Sequence, residues 1–216
     1  MKIMRKTLLF AVILLFAHIP FAFSQELSES ERKTLEQRII EKINDFISYL
    51  PEIAAKSDKS YEEKRLALRY IDRTLDLFIG KGEDYQYIVT YNGRRYTRWH
   101  DAVKMQTTSR GIPNKPQPMK RYLHRLMALN YQKVEVDSCS AVRIDKRLHK
   151  VGENRYTATA TFVQIFRGWR DDRLVISDID PKQVTVYVEK IVIDDGVYVF
   201  DVKLGDIRIT SDWGEG

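Results

Sequence analysis

Cysteine is almost absent: Cys139 stands alone in 216 residues, so no intrachain disulfide can staple the chain, which excludes the disulfide frameworks of small secreted domains. Glycine and proline are sparse, at 10 and 6 residues, which excludes collagen-like repeats and Pro/Gly-rich low-complexity tracts. No apolar run reaches membrane-spanning length. The stretch from Leu8 to Phe23 covers 16 positions and is interrupted by His18 and Pro20, whereas a spanning helix needs about 20. Also missing are a Gly-x-Ser-x-Gly elbow, a phosphate-cradling glycine loop, His-Glu-x-x-His and Cys-x-x-Cys, the spacings that mark the common hydrolases, nucleotide binders and metal sites. Past the N-terminus only His100, His124 and His149 remain, far apart in sequence. Neither a metal nor a cofactor is expected.

What is present suits a globular chain, with 44% hydrophobic, 11% aromatic and 31% charged residues. A chain of this size buries about 70% of its unfolded surface, enough for a core without staples. The N-terminus reads as a signal peptide over residues 1–24: Lys2, Arg5 and Lys6 precede the apolar stretch, and Ala22-Phe23-Ser24 supplies a small-x-small cleavage site. Cleavage is expected to leave residues 25–216 as one domain, secreted or periplasmic, with no transmembrane segment. In that compartment Cys139 is either a buried small hydrophobe or an intermolecular link. Removing the signal leaves 33 basic against 30 acidic residues, unevenly spread, because residues 81–135 alone hold 11 basic and 4 acidic ones.

Two helices open the domain. Ser28 with Glu31 forms a capping box ahead of Leu35, Ile39, Ile43, Phe46, Ile47 and Leu50, spaced to share one face, with Pro51 interrupting the run. Ser60 with Glu63 repeats the box before Ala67, Ile71, Leu75 and Phe78, and Gly80 is the stop. Asn92-Gly93 between Tyr85–Tyr91 and Arg94–Trp99 predicts a hairpin. The three prolines of residues 109–118 predict a loop, and Pro118 is placed to start a short helix with Tyr122, Leu126 and Leu129 on its buried side. From Tyr131 the period becomes two, predicting four long antiparallel strands at residues 131–146, 155–166, 183–193 and 197–209, with a section over residues 167–182 between the second and third that contains Gly168 and Pro181 and includes a short strand at residues 174–177.

The expected class is α+β. Helices, a hairpin, another helix and then long antiparallel strands resemble the order of the NTF2-like fold, also called cystatin-like or SnoaL-like. Residues 61–79 and 183–205, the latter QVTVYVEKIVIDDGVYVFDVKLG, are similar to secreted bacterial proteins of that fold with no assigned activity. The resemblance implies N-terminal helices packed on a strongly bent antiparallel sheet, with a cone-shaped pocket between them. Family members use that pocket for isomerase, dehydratase or hydrolase chemistry, or as a ligand- or protein-docking surface, so fold alone selects no function.

Two readings of function follow. In the first, a non-catalytic binding module of the bacterial envelope, the basic segment recognises an anionic ligand or an acidic envelope protein. Its candidates are Arg94, Arg98, Trp99, Lys120 and Tyr122, because forked cations interleaved with flat rings suit such partners. Nucleic acid is not expected across an export signal, and a homodimer stays open. In the second, a pocket enzyme acts on a small apolar molecule by general acid–base chemistry, with His100 and Asp101 as base and partner and Tyr87, Tyr91 or Tyr122 as hydrogen-bond donor. Adjacent strand residues point to opposite faces, so His100 and Asp101 converge only if the chain turns there.

Overall fold

Both capping boxes form, and each launches the helix it announces. Ser28 N–H donates to Glu31 Oε2 at 2.8 Å and Glu31 N–H to Ser28 Oγ at 3.2 Å; Ser60 and Glu63 repeat the exchange at 2.9 and 3.3 Å. The computed structural model describes residues 26–54, 60–91, 94–109, 112–138, 140–194 and 196–211. The signal-peptide reading, the Asn92-Gly93 turn and Cys139 lie outside the described residues. Helix α1 spans Glu29–Ala54 and α2 spans Tyr61–Asp76. Pro51 does not end α1 as the sequence suggests: the helix runs on one more turn. The missing proline N–H costs roughly 3 kcal/mol, and the complete burial of Ile53 and Ala54 beyond it offsets that loss.

After α2 the chain turns through a 3₁₀ segment, Ile79–Gly82, into the hairpin of β1 (Tyr85–Tyr91) and β2 (Arg94–His100). The proline-rich region is mostly irregular, yet it contributes two-residue strands β3 (Lys104–Met105), β4 (Thr108–Ser109), β5 (Ile112–Pro113) and β6 (Gln117–Pro118). Helix α3 (Met119–Met127) starts directly after Pro118. The predicted strand over residues 131–146 is in fact two, β7 (Lys133–Ser138) and β8 (Arg143–Gly152), which pair successive portions of the same edge of β9 (Arg155–Arg170).

The section over residues 167–182, expected to hold only a short strand at residues 174–177, is strand throughout except for its turn. β9 and β10 (Arg173–Asp194) form one long hairpin whose turn is Asp171-Asp172, both at positive φ, and β10 then pairs with β11 (Val197–Ile209). Pro181 is tolerated inside β10 because its donor-less side faces the end of β11, where its carbonyl accepts from Thr210 N–H at 3.0 Å. Gly168 is required by close approach rather than by a break: a Cβ there would lie 2.7 Å from Ile176 and 3.0 Å from the Tyr131 ring.

Among the described residues the result is an α+β architecture with three helices and a mixed, mostly antiparallel sheet in the order β6-β3-β11-β10-β9-β7, β8 also pairing β9 and β3–β11 being its parallel pair. Ala158, Ala160 and Phe162 of β9 and Val184, Val186 and Val188 of β10 are all buried and share the sheet face that carries the core. Against that face stand the apolar stripes of α1 and α2, with Phe46 and Phe78 edge to face at 5.5 Å. No helix among the described residues is long and apolar enough to cross a membrane.

Val186 has no exposed surface, and an aspartate there has no partner. Val186→Asp is expected to lower unfolding free energy by about 3 kcal/mol or more, read from denaturant melts; an unchanged midpoint would contradict this core assignment.

Candidate functional site

Along β10 the inward positions 188, 186 and 184 are valines, and the next three on the same face are Lys182, Asp180 and Asp178. Across the strand pair they meet Phe162, Gln164 and Phe166 of β9 respectively. The apolar core thus passes into a polar chamber without the sheet changing face. Helix α3 closes it from above, because the stripe that buries Leu126 also turns Tyr122 and Arg125 toward the chamber. The loop around β4 supplies Thr107 and Thr108, and Tyr131 and Ile176 complete the wall. The enclosed volume is about 210 Å³, the share of roughly seven liquid waters and below the range of about 300–1,000 Å³ typical of drug-sized ligands.

Lys182 sits at its base with no exposed surface. Its Nζ donates to Asp180 Oδ2 at 3.0 Å and to the Gln106 carbonyl at 3.1 Å, which leaves one of three N–H donors without a partner among the described residues. Burial pushes the Lys182 ammonium below its usual range, and the Asp180 carboxylate works against that shift. Asp180 is itself held by Thr108, whose Oγ1 donates to Oδ1 and whose backbone N–H lies 3.3 Å from Oδ2. Gln106 is fixed in turn, since Ile209 N–H donates to its Oε1 at 3.1 Å and its Nε2 donates to the Asn114 carbonyl at 3.0 Å.

Gln164, only 4% exposed, is hydrogen-bonded to the Tyr122 hydroxyl, yet its Oε1 has no partner among the described residues. The contact therefore runs from the Gln164 amide N–H to the phenol oxygen. The Tyr122 proton remains available to donate, because burial pushes its pKa far above the usual tyrosine value. At the rim, burial and the neighbouring Asp180 raise the Asp178 pKa. The chamber therefore offers a buried acceptor, a neutral phenol donor, an ammonium with a spare donor and a carboxyl that keeps its proton to higher pH than usual.

The residues singled out in the sequence separate. Tyr122 faces this chamber rather than the basic surface. Lys120, two residues before it on α3 and so on nearly the opposite side of the helix, points outward and pairs with Glu83. Arg94 and Arg98 are exposed on the β1–β2 hairpin, and Trp99, 69% exposed, lies on the opposite face of that ribbon, so the five do not form one surface. His100 and Asp101 do not converge either: the His100 ring stacks on Tyr85 with centroids 5.2 Å apart, while Asp101 is exposed and pairs with Lys104 at 2.9 Å. The Tyr91 side chain lies outside the described residues. Lys182, Asp180 and Asp178 escaped notice because the section 167–182 reads as irregular apart from a short strand at residues 174–177; their signal is the period of two that continues from Val188 down to Asp178, while Gln164 lies inside the expected strand 155–166, where a single polar residue carries no signal until its place opposite Asp180 is known. The chain matches no protein-family model, no curated protein and no solved structure.

Removing one member of a buried pair strands the other. Lys182→Met is expected to cost about 3–5 kcal/mol, and the double change Lys182→Met with Asp180→Asn to cost clearly less than the two single changes together. A double-mutant cycle from chemical denaturation measures this, and strict additivity would show that the pair is not coupled.

Proposed function

We propose that this chain is an NTF2-like domain of the bacterial envelope that binds a small polar molecule in the chamber between α3 and the β9–β10 hairpin. The element order, with two helices, a hairpin, a helix and long antiparallel strands, supports the NTF2-like reading, and a chamber between helices and sheet is what that resemblance implies. One observation carries the function: a buried acceptor, Gln164 Oε1, is left without a partner in the same cavity as a buried lysine with a donor to spare. Leaving such groups unpaired costs about 1–3 kcal/mol each, a cost that a ligand with both an acceptor and a donor removes. The lining sets Lys182 and Arg125 against Asp180 and Asp178, so the ligand carries no large net charge, and the volume of about 210 Å³ keeps it small. The hairpin arginines Arg94 and Arg98 stay outside this site, where an anionic ligand or acidic envelope protein would reach them.

A second reading, general acid–base catalysis in the same chamber, is favoured by Asp178. A carboxyl whose pKa is raised by burial and a like charge is suited to carry a proton, and Tyr122 stands ready as a donor to a developing oxyanion.

Export predicts a native N-terminus at Gln25, checked by mass spectrometry of envelope fractions; an intact Met1 there would refute it. For the chamber, titration with small neutral amides and hydroxy acids followed by NMR is expected to shift the Gln164 side-chain amide and the Tyr122 ring signals, and Gln164→Leu to abolish the Tyr122 shift. If Asp178 binds in its protonated form, affinity is highest below its raised pKa and falls as pH rises through it. Asp178→Asn then flattens that profile while retaining binding. Turnover that vanishes in Asp178→Asn while binding persists would select the enzyme reading, and fragments that never perturb Gln164 would remove both.

A further inference from the structure

A second, larger cavity of about 510 Å³ lies beneath the β1–β2 hairpin. Its floor is the opposite face of the same strands: Tyr187 and Glu189 occupy odd positions of β10, outward of the valines, with Arg155 of β9 and Asp201 and Lys203 of β11 beside them. Its roof is the aromatic side of the hairpin, Tyr85, Tyr87 and His100, which the strand register puts on one face.

Two glycines make room for its rings. A side chain on Gly80, at φ +67°, would collide with the Tyr85 ring, and a Cβ on Gly205 would lie 2.6 Å from the Tyr187 ring. The rings touch one another: His100 is stacked on Tyr85, and its centroid lies 6.5 Å from that of Tyr187 in an edge-on contact. Arg155 lies over Tyr87 at 5.3 Å. The Tyr85 and Tyr187 hydroxyls have no hydrogen-bond partner among the described residues, and burial holds both protonated, pushing Tyr85 up to about 12.

The charges come in balanced and loose pairs. Arg155 meets Glu189 at 3.4 Å and Lys203 meets Asp201 at 4.0 Å, both beyond the usual 2.7–2.9 Å of a charge-assisted hydrogen bond. Each partner therefore keeps hydrogen-bonding capacity. The lining holds two cations against two carboxylates, so a ligand with net charge of either sign gains no net attraction from it. An entirely apolar ligand would strip water from two phenols and two ion pairs and return no hydrogen bonds. What satisfies all of these groups at once is an uncharged molecule with many hydroxyls around a ring of C–H groups. We propose that this cavity is a second site, independent of the chamber under α3, and that it takes a neutral sugar.

The test titrates the full chain with glucose, galactose, xylose, N-acetylglucosamine, maltose and cellobiose, with choline, inorganic phosphate and indole as contrasts, following the His100 and tyrosine ring signals by NMR. At least one sugar is expected to saturate these signals. Tyr187→Phe, which keeps the ring and removes the hydroxyl, and Glu189→Gln, at an exposed position, are each expected to weaken that sugar roughly fivefold, the loss of one hydrogen bond of about 1 kcal/mol. Melting curves confirm that both variants fold. No saturation by any of the six sugars, saturation by choline, phosphate or indole instead, or sugar affinity unchanged in both variants would each overturn the proposal.

Discussion

The register of β9 against β10 is the constraint on which the rest depends. It sets Val188, Val186 and Val184 opposite Tyr156, Ala158 and Ala160, where they close the core under α1 and α2, and by the same alternation it sets Lys182, Asp180 and Asp178 opposite Phe162, Gln164 and Phe166. A slip of one residue would send the valines to solvent and expel the buried lysine with them. Few other pairings are as tightly specified, because here both the apolar and the charged halves of a strand depend on the same alignment. The two-residue Asp171-Asp172 turn fixes it from one end, and β11, paired along the other side of β10, holds it laterally.

A buried lysine is an unlikely device for stability alone. Its pair with Asp180 replaces water only because Thr108 and the Gln106 carbonyl complete the hydrogen bonding, and packed hydrophobic residues of similar volume are often as stable as such a pair or more so. The chamber is incomplete as a structural network, since Gln164 Oε1 has no partner among the described residues while Asp180 and Gln106 are tied down. A network that served only to specify the fold would be expected to close on itself; this one is closed at its base and open at its mouth. That asymmetry favours a site over a scaffold.

Much of the architecture was legible in the sequence where one local rule acts alone. Capping boxes at Ser28 and Ser60 and the three-and-four spacing after them located both long helices, and Asn92-Gly93 located the hairpin, whose strands form as expected. Legibility failed where tertiary contacts overrule a local breaker. Pro51 sits inside α1 because Ile53 and Ala54 are worth burying; Pro181 sits inside β10 because its barren side meets the end of a neighbour; Gly168 is demanded by Tyr131 and Ile176. Misreading the last two hid the candidate site, since Asp178, Asp180 and Lys182 have meaning only once they are counted in phase with the valines. Tyr122 was singled out for the wrong surroundings: neighbouring cations suggested a basic surface, whereas the helical spacing it shares with Leu126 already implied the interior.

Alternation also ties the two cavities to one strand. Lys182 faces the chamber under α3 and Tyr187 the cavity under the hairpin, five residues apart in β10, or about 17 Å at 3.4 Å per residue. Between them the inward positions are Val184 and Val186, fully buried, so a displacement of the strand at one end would have to be absorbed by close-packed side chains that move only in discrete steps. The register shift between Val184 and Val186 on the β11 side interrupts the ladder in this same interval. The extra residue lies on β11, while the β9–β10 ladder runs unbroken through the interval, so one register builds both cavities.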